Sequence, residues 1–280
     1  SSMPTVLEAL RLGVDNYLLK PFSSRELIFQ VDRALERHDL VMQNLRYQQN
    51  LEQMIQERTN QLTHRQQELR TSQMENIFAI GNVIEARDPY TRGHTERVTL
   101  YAVSLAEAMG WDRSDIYSLC IGSPLHDIGK ISVPDAILKK NGPLTRIEYD
   151  IMKDHPARGY ELVKDTDLPP GTVACILYHH ERFDGKGYPF GLKGEDIPPE
   201  GRIMAVCDAF DAMTSTRVYR DAMSTERALE IVRQNAGAQF DPEISEVLID
   251  LVEKNPDDSL FNEGDISEEF NTLVAQLIEV

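Results

Sequence analysis

Cysteine is scarce. The 280 residues hold three, Cys120, Cys175 and Cys207, far apart within apolar stretches and without a Cys-x-x-Cys pair. A disulfide scaffold or a thiolate zinc site is therefore not expected, and a reducing compartment fits. All three read as small buried apolar residues. There is no apolar run of about 18 residues and no charged-then-apolar leader, so neither a membrane span nor a secretion signal is expected and the predicted location is cytoplasmic. Basic residues are also in deficit. Against 46 Asp/Glu stand 29 Lys/Arg, a formal charge of −17. That balance disfavours long nucleic acids and anionic membranes as partners, because basic patches supply most of their affinity. A small anionic substrate stays open where a bound metal reverses the local field. The deficit is also uneven: twelve acidic residues and one lysine in 241–280 account for −11 of the total.

Proline and glycine are missing from Arg25 to Glu75. Within that stretch Leu51, Ile55, Arg58, Leu62, Arg65 and Leu69 are spaced 4, 3, 4, 3, 4, as a heptad seam requires. Two arginines in six positions make a weak core, suited to a switchable contact. The expectation is a coiled-coil signalling helix over 39–75 that pairs two copies into a homodimer. The alternative is one long helix packed on its own chain. Ahead of it, Tyr17-Leu18-Leu19 is a strand candidate stopped by Lys20-Pro21-Phe22, and Ser23 or Ser24 can cap a helix with Glu26 in its first turn. After Asn76, helical patterns alternate with Pro/Gly punctuation and no strand alternation persists, so the fold class is all-α.

Histidine placement carries the chemistry. Five of the seven histidines, His94, His126, His155, His179 and His180, fall between residues 94 and 180. His126 is followed at once by Asp127, and His179 by His180 and Glu181. Neighbouring helical residues diverge by about 100°, so two adjacent ligands flank one pocket only at a helix end. Gly129 and the Gly185/Gly187 loop supply such endings. Imidazoles and carboxylates without thiolates suit Zn, Mn, Fe or Ni. Four or more histidines with two carboxylates exceed one tetrahedral centre, which points to two metals sharing a carboxylate.

Two resemblances follow from these residues. Gly13 to Phe22, with Lys20 before Pro21, resembles the C-terminal end of a two-component receiver domain. That implies a remnant over 1–38 and a cognate histidine kinase acting through the rest of such a domain. His126-Asp127-Ile128-Gly129-Lys130 resembles the signature of HD-domain metal phosphohydrolases. His179-His180-Glu181 through Gly187-Tyr188-Pro189, and Asp208 through Arg220, resemble the later motifs of the HD-GYP subfamily, with Thr91-Arg92-Gly93-His94 and His155-Pro156 completing the order. This implies a cyclic di-GMP phosphodiesterase domain over 76–280, yielding linear pGpG and possible onward cleavage to GMP. A weakly catalytic cyclic di-GMP receptor is the alternative. Carried over by position, one divalent ion takes His94, His126, Asp127 and Asp208. The second takes Asp127, His155, His179 and His180. Iron or manganese is favoured, with nickel or zinc as options. Some members hold a third ion through a glutamate four residues before the first histidine; Tyr90 stands there, so a dinuclear site is expected. Asp127 and Lys130 are the expected catalytic pair. Lys130, Arg217, Arg220, Asp88 and Tyr188 are expected at the substrate. For Asp88 the alternative is a helix cap, for Arg220 an ion pair, and for Tyr188 a turn or docking residue.

Overall fold

The structure is a computed structural model and describes residues 13–14, 17–87, 93–216, 222–254 and 267–278. Its elements are helical. Helix α1 (Ser24–Arg87) is followed by α2 (His94–Ala108), α3 (Arg113–Leu125), a 3-10 turn (Ile128–Ser132), α4 (Asp135–Leu138) and α5 (Arg146–Lys153). Then come α6 (His155–Val163), α7 (Pro170–Tyr178), a 3-10 turn (Gly194–Asp196), α8 (Pro199–Thr214), α9 (Thr225–Asn235), α10 (Pro242–Lys254) and α11 (Ser267–Ile278). Among the described residues only an isolated bridge, Ala236 to Phe240, departs from this all-α architecture. No helix is long and apolar enough to cross a membrane among those residues.

The chain divides into two compact units, Ser1–Gln66 and Gln67–Val280. In the first, Ser23 caps α1: its hydroxyl accepts from the Glu26 amide at 3.2 Å and its own amide donates back to the Glu26 carboxylate at 3.4 Å. The helix then runs without a break across residue 38, the expected edge of the receiver remnant. Leu51, Ile55 and Leu62 of the heptad seam are exposed. One local expectation is corrected. Tyr17–Leu19 is irregular in place of a strand, with Tyr17 and Leu19 exposed, because a strand needs a hydrogen-bonded neighbour and no strand is present among the described residues.

The second unit begins where α1 acquires a buried stripe. Met74, Phe78, Gly81 and Ile84 recur at steps of 4, 3 and 3 and are buried. Phe78 meets Phe270 of α11 edge-on, with ring centroids 4.7 Å apart. The innermost layer is α2, where Val98, Ala102, Val103, Leu105 and Ala106 are fully enclosed against α3 and α8. Cys120, Cys175 and Cys207 are free and buried, and burial pushes the Cys120 thiol up to about 12. They are packing residues, as their apolar surroundings implied.

Small residues set how closely the helices approach. A Cβ on Gly122 of α3 would lie 2.6 Å from Sγ of Cys175 in α7 and 3.2 Å from the Thr172 backbone. The same contact is pinned by the Thr172 hydroxyl, which donates to the Ser118 carbonyl at 2.9 Å. This matters for function, because α3 and α7 each end in site histidines. Gly122→Val is therefore expected to destabilise the domain by about 2 kcal/mol through overpacking. The check is urea unfolding, in which the midpoint falls at an unchanged m-value.

Candidate metal centre

The site is assembled from helix ends. His94 opens α2 behind Gly93, whose φ of +72° is a left-handed turn that glycine adopts without strain. His126 caps the C-terminus of α3, and Asp127 turns the chain into the following 3-10 segment. His155 opens α6, and His179 caps α7 with His180 just beyond. Only Asp208 lies inside a helix, α8. The adjacent pairs His126–Asp127 and His179–His180 face one cleft because each sits where a helix stops, as the divergence of neighbouring helical residues demands.

Asp127 is central. Its Oδ1 lies 3.2 Å from His155 Nε2 and 3.8 Å from His179 Nε2, while its Oδ2 lies 3.4 Å from His126 Nε2 and 2.6 Å from Lys130 Nζ. His94 Nε2 is 3.6 Å from Asp208 Oδ1. Two groups result, each with one ligand atom per residue within 4.8 Å of the rest: Asp127, His155, His179 and His180, and His94, His126 and Asp127.

The ring nitrogens facing away from the cleft show why this is a cation site. Nδ1 of His126 donates to the Ser123 carbonyl at 2.6 Å, that of His155 to the Met152 carbonyl at 2.8 Å, and that of His179 to the Cys175 carbonyl at 3.0 Å. His94 Nδ1 donates to Asp211 Oδ2 at 2.7 Å. A carbonyl only accepts, so the proton is on Nδ1 and a neutral ring turns its Nε2 lone pair inward. His155 Nε2 and His179 Nε2 then face each other at 3.2 Å, and buried His126 Nε2 has no hydrogen-bond partner. Converging lone pairs repel unless a cation lies between them. The residues present thus fit divalent metal.

Protonation agrees in direction at His179 and His180. Burial and the neighbouring imidazoles of His180, His126 and His155 hold His179 well below the usual range, and burial with His155 brings His180 down to about 3. Burial alone would lift the Asp127 carboxyl, but Lys130 and His126 hold it well below the carboxylate range. For His126 burial opposes charge, yet Asp127 and Asp208 prevail and raise it to about 9. His179 and His180 are thereby held neutral, whereas the carboxylates beside His126 favour positive charge there, a demand that a divalent cation would meet.

Of the remaining expected residues, Lys130 sits on the Asp127 carboxylate. Tyr188 lies against His180 with centroids 4.8 Å apart, and Lys153 Nζ lies 5.6 Å above its ring. Asp88, Tyr90, Arg217 and Arg220 lie outside the described residues. The structure adds residues to which no role had been assigned. Asp211, buried one turn after Asp208, orients His94 and takes Arg97 Nε at 2.5 Å. The i,i+3 spacing of the two aspartates was the available signal. Glu85 accepts the Thr95 amide beside His94 at 2.5 Å. Buried Glu181 gathers the amides of Phe190, Gly191 and Leu192 at 2.7, 3.1 and 3.0 Å, folding the loop that carries Tyr188 back on itself.

Helix ends that converge five imidazoles on one carboxylate define a helical histidine–aspartate metal cleft. Comparison with known proteins agrees. The HD-domain family pattern matches residues 79–244. The cyclic di-GMP phosphodiesterase response regulator RpfG of Xanthomonas campestris pv. campestris is 36% identical over 243 residues, covering 86% of this chain and 62% of that protein. A cyclic di-GMP phosphodiesterase of Thermotoga maritima is 34% identical, covering 88% and 67%. A 3'3'-cGAMP-specific phosphodiesterase 2 of Vibrio cholerae is 38% identical over 65% of this chain and 35% of its own length. The chain thus spans about two thirds or less of the length of these relatives. In fold, a crystal structure of a V. cholerae cyclic GMP-AMP-specific phosphodiesterase superposes with a TM-score of 0.55 at 18% identity, over 71% of this chain and 53% of that one. The chain belongs to the HD-domain family.

Two outcomes are expected. Adding Mn2+ to metal-free protein raises its melting temperature, since a ligand at 100 times its Kd stabilises by about 2.7 kcal/mol; His155→Ala abolishes most of the shift in the same thermal scan. Asp211→Ala frees the His94 ring and weakens metal binding by about 10- to 100-fold, read by competition with a chromogenic chelator.

Proposed function

We propose that this chain is a metal-dependent phosphodiesterase that hydrolyses cyclic di-GMP to linear pGpG. The observation that carries the reading is the arrangement of Asp127, whose two carboxylate oxygens face separate groups of inward-turned imidazoles. His94, His126, Asp127 and Asp208 would hold one divalent ion, and Asp127, His155, His179 and His180 a second, with iron or manganese favoured by the ligand set. When bound, such ions supply an activated water near neutral pH and offset charge growing on the phosphoryl oxygens.

The chain's own groups do the rest. The fixed Nδ1 hydrogen bonds hold the imidazole rings without further reorganisation, which is how a preorganised site lowers a barrier. Lys130 brings a cation beside Asp127. Its ammonium is positioned to meet a phosphate oxygen and to give a proton to the leaving ribose oxygen. The Tyr188 ring, backed by His180 and Lys153, offers a face for a purine base. Arg217 and Arg220 would clamp the second phosphate and Asp88 would lie at the substrate, roles taken from their motif positions. The absence of the third-metal glutamate at Tyr90 favours pGpG as the end point.

The relatives named above act, by their names, on cyclic di-GMP or on 3'3'-cGAMP, so the cyclic dinucleotide is the shared class. Cyclic di-GMP is preferred here because the relatives matched over most of this chain carry that name. In the same reading the chain is a cytoplasmic response-regulator output module. Residues 1–38 are the end of a receiver answering a histidine kinase, and the seam over 39–75 pairs two copies.

The test is turnover. Mn2+-loaded or anaerobically Fe2+-loaded protein is incubated with cyclic di-GMP and with 3'3'-cGAMP, and products are resolved by chromatography. Conversion of cyclic di-GMP to pGpG is expected, with Asp127→Ala at least about 1,000-fold slower. Tight binding without conversion in both metal forms would instead establish a receptor.

A further inference from the structure

The last residue of α1, Arg87, is not used by the chemistry above, yet its guanidinium makes four contacts in one place. Nη1 donates to the carbonyls of Ile131 at 2.9 Å and Lys130 at 3.3 Å. Nη2 donates to the Val133 carbonyl at 3.2 Å and to Asp135 Oδ1 at 2.7 Å. Those three carbonyls close the 3-10 turn Ile128–Ser132, whose N-terminal cap is Asp127 and whose third residue is Lys130. A turn this short has few internal hydrogen bonds of its own, and its terminal carbonyls need outside donors.

The opposite side of the turn packs closely on α6. A Cβ on Gly129 would fall 1.8 Å from the His155 carbonyl and 2.5 Å from the Gly159 amide, so the turn lies directly on the first turn of α6. The segment bearing Asp127 and Lys130 is thus gripped between α6 and one arginine. Three of the four Arg87 contacts are to backbone, so what they fix is where the chain runs.

We infer that Arg87 is a positioning residue for the metal centre: it holds the turn that sets the Asp127 carboxylate and the Lys130 ammonium, and ties that turn to the end of α1. This rests on the reading of Asp127 as the shared ligand. Only a planar fork with several N–H groups reaches three carbonyls and a carboxylate together. A lysine at this position keeps the charge and one or two of the contacts.

The test uses the full chain with Arg87→Gln, Arg87→Lys and Asp135→Asn. Mn2+ affinity is read from the free-ion electron paramagnetic resonance signal without substrate, and kcat and KM are read with cyclic di-GMP. Arg87→Gln is expected to weaken Mn2+ binding and lower kcat, each by about 10- to 100-fold, with KM within about threefold. Arg87→Lys is expected to restore part of both losses. Asp135→Asn removes the exposed ion pairs to Arg87 and Lys139 and leaves the carbonyl contacts, so both readouts stay within about threefold. A lower melting temperature for Arg87→Gln with unchanged Mn2+ affinity and kcat would overturn the inference, as would equal losses from Asp135→Asn. A wild type that binds Mn2+ without turnover refutes the substrate reading alone, and the titration still decides Arg87. A wild type that takes up no Mn2+ refutes both.

Discussion

The carboxylate of Asp127 sits in a shell that would be intolerable without a counter-charge: three imidazole Nε2 atoms and one ammonium within 4 Å. Much of the second unit can be understood as the means of keeping it there. Helices α2, α3, α6 and α7 all begin or end at the cleft, because a helix interior cannot present neighbouring residues to the same point. The backbone then supplies what side chains cannot. Carbonyls at the last turns of α3, α5 and α7 have lone pairs to spare at a helix end, and the site histidines use them through Nδ1. Capping the helix and selecting the tautomer are therefore a single set of hydrogen bonds.

An acidic protein can in this way suit the anionic substrate proposed for it. Most of the excess negative charge belongs to residues 241–280, whereas the cleft gathers five imidazoles and Lys130 around Asp127. Asp211 is balanced by Arg97 and His94 despite burial, and its carboxyl stays below the usual range. The carboxylates that remain are committed to orienting or ligating roles. The field met by an incoming phosphate is then set by Lys130 and by whatever cations the imidazoles hold.

Much of this was legible in the residue order. Histidine spacing and the adjacency of His126 to Asp127 and of His179 to His180 foretold a cleft built at helix ends, and the seven metal-ligating candidates do converge. The long helix was visible in the missing glycines and prolines. The supporting contacts were not. Arg87 reaches 43 to 48 residues along the chain, and Asp211 reaches back 117 to His94. The acceptors for Nδ1 of His126, His155 and His179 are main-chain atoms, which every residue has and no composition distinguishes. Tyr17–Leu19 was misread for a related reason: local apolar character proposes a strand, but only a neighbouring strand makes one.

Glu181 gives the cleft a further property. It holds the loop after His179 and His180 through amide groups at three successive positions, so at Phe190 and Leu192 the anchor does not depend on the side chain, while Gly191 is required by its φ of +70°. Phe190 is anchored through its amide while its side chain is exposed. The rim can therefore accept substitutions at its exposed side chains while the candidate metal ligands behind it keep their places. A fold organised in this way separates what must be inherited unchanged from what can diverge, and one ancestral centre can be fitted to new ligands by altering only its edge.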